Sequence, residues 1–295
     1  MKLIITSILL SFFTFQNYAS SLVTYIAPEH AEAAPEFELE INGQPVFVYN
    51  TRCAAFAYFS FEGKVDVKVT FLSPVFNFDI RPKSRKIVAE QYRNQIRFSL
   101  DKPENLSVEI NKNIKRPLFI FANPLETNVP DKADKNVIFF EKGKIHYPGE
   151  VLIKSNQSVY IEGGAIVRGH FMTDKGQNIK ILGRGILDNS RYLKGEHRPI
   201  EINQCENVLI EGIILAESRH WSCASTASKY VTYNNLKNVT FRNCDLIHTE
   251  GPEGTFTIHN GDRAVVKNVL YEDIRVEDSK GWLIDFKILQ SQYSK

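Results

Sequence analysis

The stretch "LKNVTFRNCDLIHT", Leu236–Thr249, decides the fold, because its pattern is not confined to one place. "GQNIKILGRGILDNS" (Gly176–Ser190), "CENVLIEGIILAES" (Cys205–Ser218) and "VKNVLYEDIRVEDS" (Val266–Ser279) say the same thing. Each unit reads Asn, then Val or Ile, then a spacer, then an apolar residue, a small or polar residue and a further apolar pair. The anchoring asparagines are Asn178, Asn207, Asn238 and Asn268, spaced by 29, 31 and 30 residues. "NQSVYIEGGAIVRG", beginning at Asn156, is a looser copy. Self-similarity at a period of this size is the mark of a solenoid, in which each unit buries its apolar positions only against its neighbours. Alternate side chains of each short strand point inward. Asparagine tolerates the left-handed backbone that a tight corner requires. These units therefore predict a right-handed parallel β-helix over residues 131–295.

Upstream the text changes. "FELEINGQPVFVYN" alternates apolar and polar residues around Asn42-Gly43, a favoured two-residue hairpin turn. "GKVDVKVTFL" alternates strictly from Val65 to Phe71, and "NQIRFSLDKPENLSVEI" offers two strands about Pro103. Antiparallel strands at this spacing predict a β-sandwich over 36–130, with the chain passing through Pro124 and Pro130 into a linker. The whole is an all-β chain, a sandwich followed by a β-helix.

Composition narrows the function. The 295-residue chain is 43% hydrophobic, enough for a buried core. Its 36 Lys and Arg against 34 Asp and Glu give no basic footprint, so no nucleic-acid partner is expected. Met1-Lys2 and the apolar run Leu3–Phe15 resemble a secretory signal, too short to span a bilayer, so residues 1–20 are read as a removable leader of a secreted or periplasmic protein. No second run approaches membrane-spanning length. Four cysteines lack the paired spacing of a zinc site and permit either a Cys205–Cys223 disulfide or buried thiols. Neither metal nor cofactor is expected.

The stretch Val137–Phe171, "ILGRGILDNS" and "ENVLIEGIILAESRHWS" resemble the entry coils of polygalacturonase-type enzymes, glycoside hydrolase family 28. The sandwich ending in "LFIFANPLE" is similar to the N-terminal domain of the dextranase and isopullulanase family 49. The resemblance implies hydrolysis of a polysaccharide, pectin-like polygalacturonan first, by aspartates on one parallel sheet. In inverting enzymes the acid and base stand roughly 6.5–9.5 Å apart, leaving room for water. The family supplies them from an Asn-Thr-Asp-like triplet and an Asp-Asp pair, followed by Gly-His-Gly and then Arg-x-Lys. Here there is no Asp-Asp pair, no Gly-His-Gly, and no aspartate between Asn189 and Cys244. Moreover Tyr230–Asn234 and Asn238–Asn243 carry nearly the same signature only eight residues apart, too few to encircle a β-helix. The spacing predicts either that coils bearing the carboxylates are missing near 234–238 or that a single coil carries an accidental double signature, and the first is expected.

The remaining candidates are few. "FTIHNGDRAVV" offers His259, Asp262 and Arg263, either a sugar-gripping cluster or a turn with an exposed ion pair. "GWLIDFKI" falls where the resemblance puts Arg-x-Lys, matching Lys287 to the lysine but placing Asp285 where the arginine belongs. Asp262 and Asp285 are thus the catalytic candidates. His259, Arg263, Lys287 and Trp221 are the substrate-binding ones, Trp221 by stacking on a sugar ring or simply as packing. The expected function is that of a glycoside hydrolase lineage whose catalytic machinery is incomplete in this chain. Its rivals are a non-catalytic carbohydrate-binding or structural β-helix, and a polysaccharide lyase. The partner is a polysaccharide or oligosaccharide. The last coil ends without a cap and is expected to favour self-association through its open edge.

Overall fold

The computed structural model describes residues 21–217, apart from 53, 194, 195, 198 and 204, and then 223–226, 235–247, 256–261, 265–277 and 282–289. The segment 1–20 read as an export leader lies outside the described residues. No helix among the described residues is long and apolar enough to cross a membrane.

Two sheets form the sandwich. One runs, in order, Ser21–Thr24, Ala55–Glu62, Leu118–Asn123, Glu104–Ile110 and Phe78–Arg81, with Tyr49–Asn50 also on Ala55–Glu62. The other runs Gln44–Val46, Phe37–Ile41, Val65–Phe71, Gln95–Leu100 and Ala89–Tyr92. Asn42 and Gly43 both take positive φ (50° and 76°) between paired Ile41 and Gln44, as the predicted tight hairpin needs. Val65, Val67, Val69 and Phe71 alternate into the core while Asp66 and its partners face out. The strand Ser21–Thr24 lies upstream of the expected start at 36. One pairing differs from the expected antiparallel pattern: Leu118–Asn123 lies parallel to Ala55–Glu62. The hairpin with Glu104–Ile110 fixes its direction before it slots between them.

Ala55–Glu62 is buried on both faces. Ala55, Ala57, Phe59 and Phe61 enter the sandwich core, whereas Phe56 and Tyr58 pack outward against Ile166, Ile186 and Ala216. Burying each such aromatic is worth roughly 1.5–3 kcal/mol against leaving it in water. The Tyr58 hydroxyl accepts a hydrogen bond from the Gly164 N–H at 3.0 Å. The connecting segment is pinned too, since Tyr160 donates to Glu126 at 3.0 Å and Arg184 to the Pro124 carbonyl at 3.2 Å.

The second part is the right-handed parallel β-helix. Val137–Phe140, Ser158–Ile161, Gln177–Gly183, Glu206–Glu211, Asn235–Ile247 and Val265–Glu277 stack in parallel as one sheet. At one corner of every coil after the first stands an asparagine with left-handed φ: 63° at Asn156, then 56°, 57°, 58° and 55° at Asn178, Asn207, Asn238 and Asn268. The side-chain amide of each of the last four donates to the carboxamide oxygen of the asparagine one coil earlier, at 3.0, 3.1, 3.2 and 2.8 Å in turn. Val159, Ile161, Ile179 and Ile181 fill the interior beneath, and Val239 lies opposite Val269. The "GRG" of the second coil has a packing cause: a Cβ at Gly183, whose φ is 128°, would collide with the Ile161 carbonyl of the coil before.

At the doubled signature, Glu206 pairs with Lys237 and Asn238 donates to Asn207, so 31 residues make the coil between these corners. The ladder passes from Asn207 to Asn238 without interruption, and Tyr230–Asn234, half of the signature from which missing coils near 234–238 are expected, lie outside the described residues. Cys205 is a free, buried thiol directed at the Thr173 and Asn203 carbonyls, so the disulfide alternative with Cys223 is not realised.

Candidate functional site

Trp221, Asp262 and Arg263 lie outside the described residues. His259, Asp285 and Lys287 fall on the parallel strands Phe256–Gly261 and Ile284–Leu289. Their register sets His259 beside Lys287 and Thr257 beside Asp285. The pairing thus brings His259 and Lys287 to one position, with Asp285 two residues away along the same strand.

Side-chain chemistry is seen on the earlier coils. The strand Ile166–Asp174 pairs through its first half with Ile186–Asp188 and through its second half with Ile200–Asn203. The register stacks Val167 on Leu187 and Leu215, which face the interior, and Ile166 on Ile186 and Ile214, which face the sandwich. One alternation further, Arg168 stacks on Asp188, also facing out.

Arg168 Nε donates to Asp188 Oδ2 at 2.9 Å, while the Ser190 N–H donates to Oδ1 at 2.8 Å. Burial works against the Arg168 charge, but the Asp188 carboxylate more than offsets it and raises the guanidinium pKa. Beside this pair lies a cavity of about 250 Å³ between sandwich and β-helix. Tyr49 and Phe56 line it from one side; Arg168, Asp188, Ala216 and Glu217 line it from the other. Arg52 lines its edge, donating both its N–H and its Nε to the Glu217 carboxylate at 2.5 Å. Glu217 sits at φ 52°, an unusual backbone for a non-glycine residue.

Two residues beyond Arg168 is His170, buried although polar. Its Nε2 lies 3.1 Å from Glu150 Oε2 and its Nδ1 3.3 Å from the Tyr192 hydroxyl. His197 stacks on it with ring centroids 4.2 Å apart, and Tyr192 meets both rings edge-on. Burial lowers the His170 pKa, the neighbouring His197 adds to this, and Glu150 opposes it. Between this cluster and the cavity stands exposed Tyr147, with the Arg191 guanidinium 5.0 Å and that of Arg168 6.0 Å from its ring.

The outcome is an outward track along the coils: cavity, Arg168–Asp188, Tyr147 with Arg191, then Tyr192 and His197 over the buried His170. Paired charges that present donors and acceptors together, beside flat rings, suit sugar hydroxyls and sugar faces. Among the described residues no three His, Cys, Asp or Glu side chains gather as a metal would need. "GGAIVRG" and "GRGILD" contain Arg168 and Asp188, so aligning these two coils twenty residues apart would have found that pair. Nothing in the sequence announces that the loop with Tyr192 and His197 folds back over His170.

No protein-family model matches the chain, and no curated protein does. Among solved structures it is similar to Dex49A from Penicillium minioluteum, at 16% identity and a TM-score of 0.48, over 86% of this chain and 72% of that one. It is also similar to a chain named as a glycosyl hydrolase from Parabacteroides merdae ATCC 43184, at 18% identity and a TM-score of 0.30, over 52% of this chain and 82% of that one.

Proposed function

We propose that this chain is a secreted, carbohydrate-active β-helix protein of glycoside hydrolase lineage that binds a polysaccharide along the outward track and does not hydrolyse it at ordinary enzyme rates. The track itself carries the reading: charged pairs and aromatic rings share one face of the stacked coils. The motifs resembling polygalacturonase entry coils support the carbohydrate class, with polygalacturonan the first substrate to try. The absent Asp-Asp pair supports the lack of turnover, since general acid and general base each contribute typically about 10²–10⁴-fold.

The test is a reducing-sugar assay beside affinity electrophoresis, both on polygalacturonan, rhamnogalacturonan and dextran. Retardation in at least one gel without release of reducing ends is expected. Turnover on any of the three would show that other carboxylates do the chemistry. Failure to bind any of them, with the purified chain folded, would overturn the carbohydrate reading.

A further inference from the structure

We infer that Tyr192 presents the track with a hydrogen-bond polarity set by His170, accepting at neutral pH and donating in acid, so that acidification turns the track from neutral glycans toward carboxylate-bearing ones. This rests on the carbohydrate reading above. The strand Ile166–Asp174 holds His170 beneath Tyr192 and His197, with 4% of its side chain exposed, so a glycan meets it only through its partners. Those partners decide which ring nitrogen carries the proton. Glu150 Oε2 lies 3.1 Å from Nε2, and a carboxylate only accepts, so the neutral ring keeps its proton on Nε2. Nδ1 is then a bare acceptor, and the Tyr192 hydroxyl 3.3 Å away donates to it. The phenol thus spends its single proton inward, and Tyr192, which is partly exposed, has only lone pairs left to offer the track. Sugar hydroxyls can donate to those lone pairs. A carboxylate, with no proton to give, finds no donor at this point.

Protonation of His170 reverses the arrangement and needs no heavy atom to move. Nε2–H still meets Glu150, but Nδ1 now carries a hydrogen that the Tyr192 oxygen accepts, which frees the phenol proton to point outward. A carboxylate accepts that proton, and the positive charge beneath adds to the attraction. The groups around the ring fix where the change falls. Burial and the His197 ring, stacked at 4.2 Å, oppose the charge. Glu150 from the strand Ile145–Leu152 and Glu201 from the strand Ile200–Asn203 favour it. The first two prevail, so the change comes below the ordinary histidine value near 6.5. Arg191 and Glu196 act on Tyr192 with opposite signs, and Glu196 also stands 4.0 Å from His197 Nε2.

The experiment measures equilibrium binding of each glycan in a charged and a neutral form, from pH 7.5 to pH 5. Polygalacturonan and rhamnogalacturonan are set against their carboxyl-reduced products, and dextran against carboxymethyl-dextran. Carboxyls with ordinary values near about 4 stay ionised over this range. The ratio of charged-form to neutral-form affinity should rise about tenfold on acidification, the worth of one hydrogen bond to a charged acceptor. Tyr192→Phe keeps the ring and the His170 charge but has no hydroxyl to turn, and His170→Gln has no proton to take up; both should flatten the ratio. A wild-type ratio that stays constant overturns the inference and leaves the carbohydrate reading standing. A rise that Tyr192→Phe retains in full overturns it too, because charge alone would then be the cause. No binding to any of these glycans at either pH, with the chain folded, overturns both. Nitrogen NMR of the histidine rings decides without any variant folding: at pH 7.5 His170 is expected to be neutral with its proton on Nε2, and a proton on Nδ1 overturns the inference.

Discussion

At the scale of single residues, the asparagine corners and His170 make separate demands. Asn207 donates to Asn178 and accepts from Asn238, and does so from a left-handed backbone. Asn207→Ala loses both bonds and places a Cβ residue with no side-chain compensation at φ 57°, and should cost about 2–3 kcal/mol. Asn207→Gly keeps the backbone unstrained, although the ladder is cut, and should cost less. Urea denaturation of the two variants checks the order; equal losses would mean the ladder outweighs the backbone. For His170, burial and His197 favour the neutral ring in the folded state, so the unfolded chain binds the extra proton first. Its contribution to stability is therefore full above the unfolded pKa near 6.5 and declines as pH falls below it, toward the depressed folded value. Thermal melts at pH 7.5 and 5.5 should show a loss on acidification that His170→Gln reduces. Glu150, which pulls the other way, should deepen the acid loss when changed to Gln.

At the scale of elements, the strand Ala55–Glu62 shows what a sequence displays and what it hides. Val65–Phe71 could be placed from its alternation alone, because one face meets the core and the other meets water. Ala55–Glu62 does not alternate, since both faces are covered, and nothing local says that Tyr58 serves the β-helix and Phe59 the sandwich. The asparagine corners were readable for the opposite reason: repetition makes a long-range contact look local. Arg168 and Asp188 fall within that repetition, whereas the closure of Tyr192 and His197 onto His170 depends on a loop outside it. Tyr58→Phe tests the hidden half. It keeps the ring but strips the acceptor from the Gly164 N–H, and leaving a buried donor unmet should cost about 1–3 kcal/mol. Ser60→Ala, which removes the hydroxyl 2.8 Å from the more accessible Tyr25 hydroxyl, should cost less. Paired denaturation curves separate the two; a silent Tyr58→Phe would show that water serves the Gly164 amide equally well.

At the scale of the molecule, the sandwich and the β-helix share apolar surface and should unfold together. Calorimetry on the whole chain should give one transition, and two well-separated ones would show the parts to be independent. Residues 131–295 alone should aggregate, because Ile166 and Ile186 would then meet water. The asparagine ladder has a further consequence, for the order in which the molecule comes into being. Each asparagine amide of the ladder bonds the corner before it, so every coil offers its successor a place to dock. During synthesis the sandwich emerges first and offers the floor on which the first coils settle. From there the structure can grow in one direction like a thread being wound, each turn finished before the next is needed. A lineage built this way can gain or lose a turn without redrawing the rest.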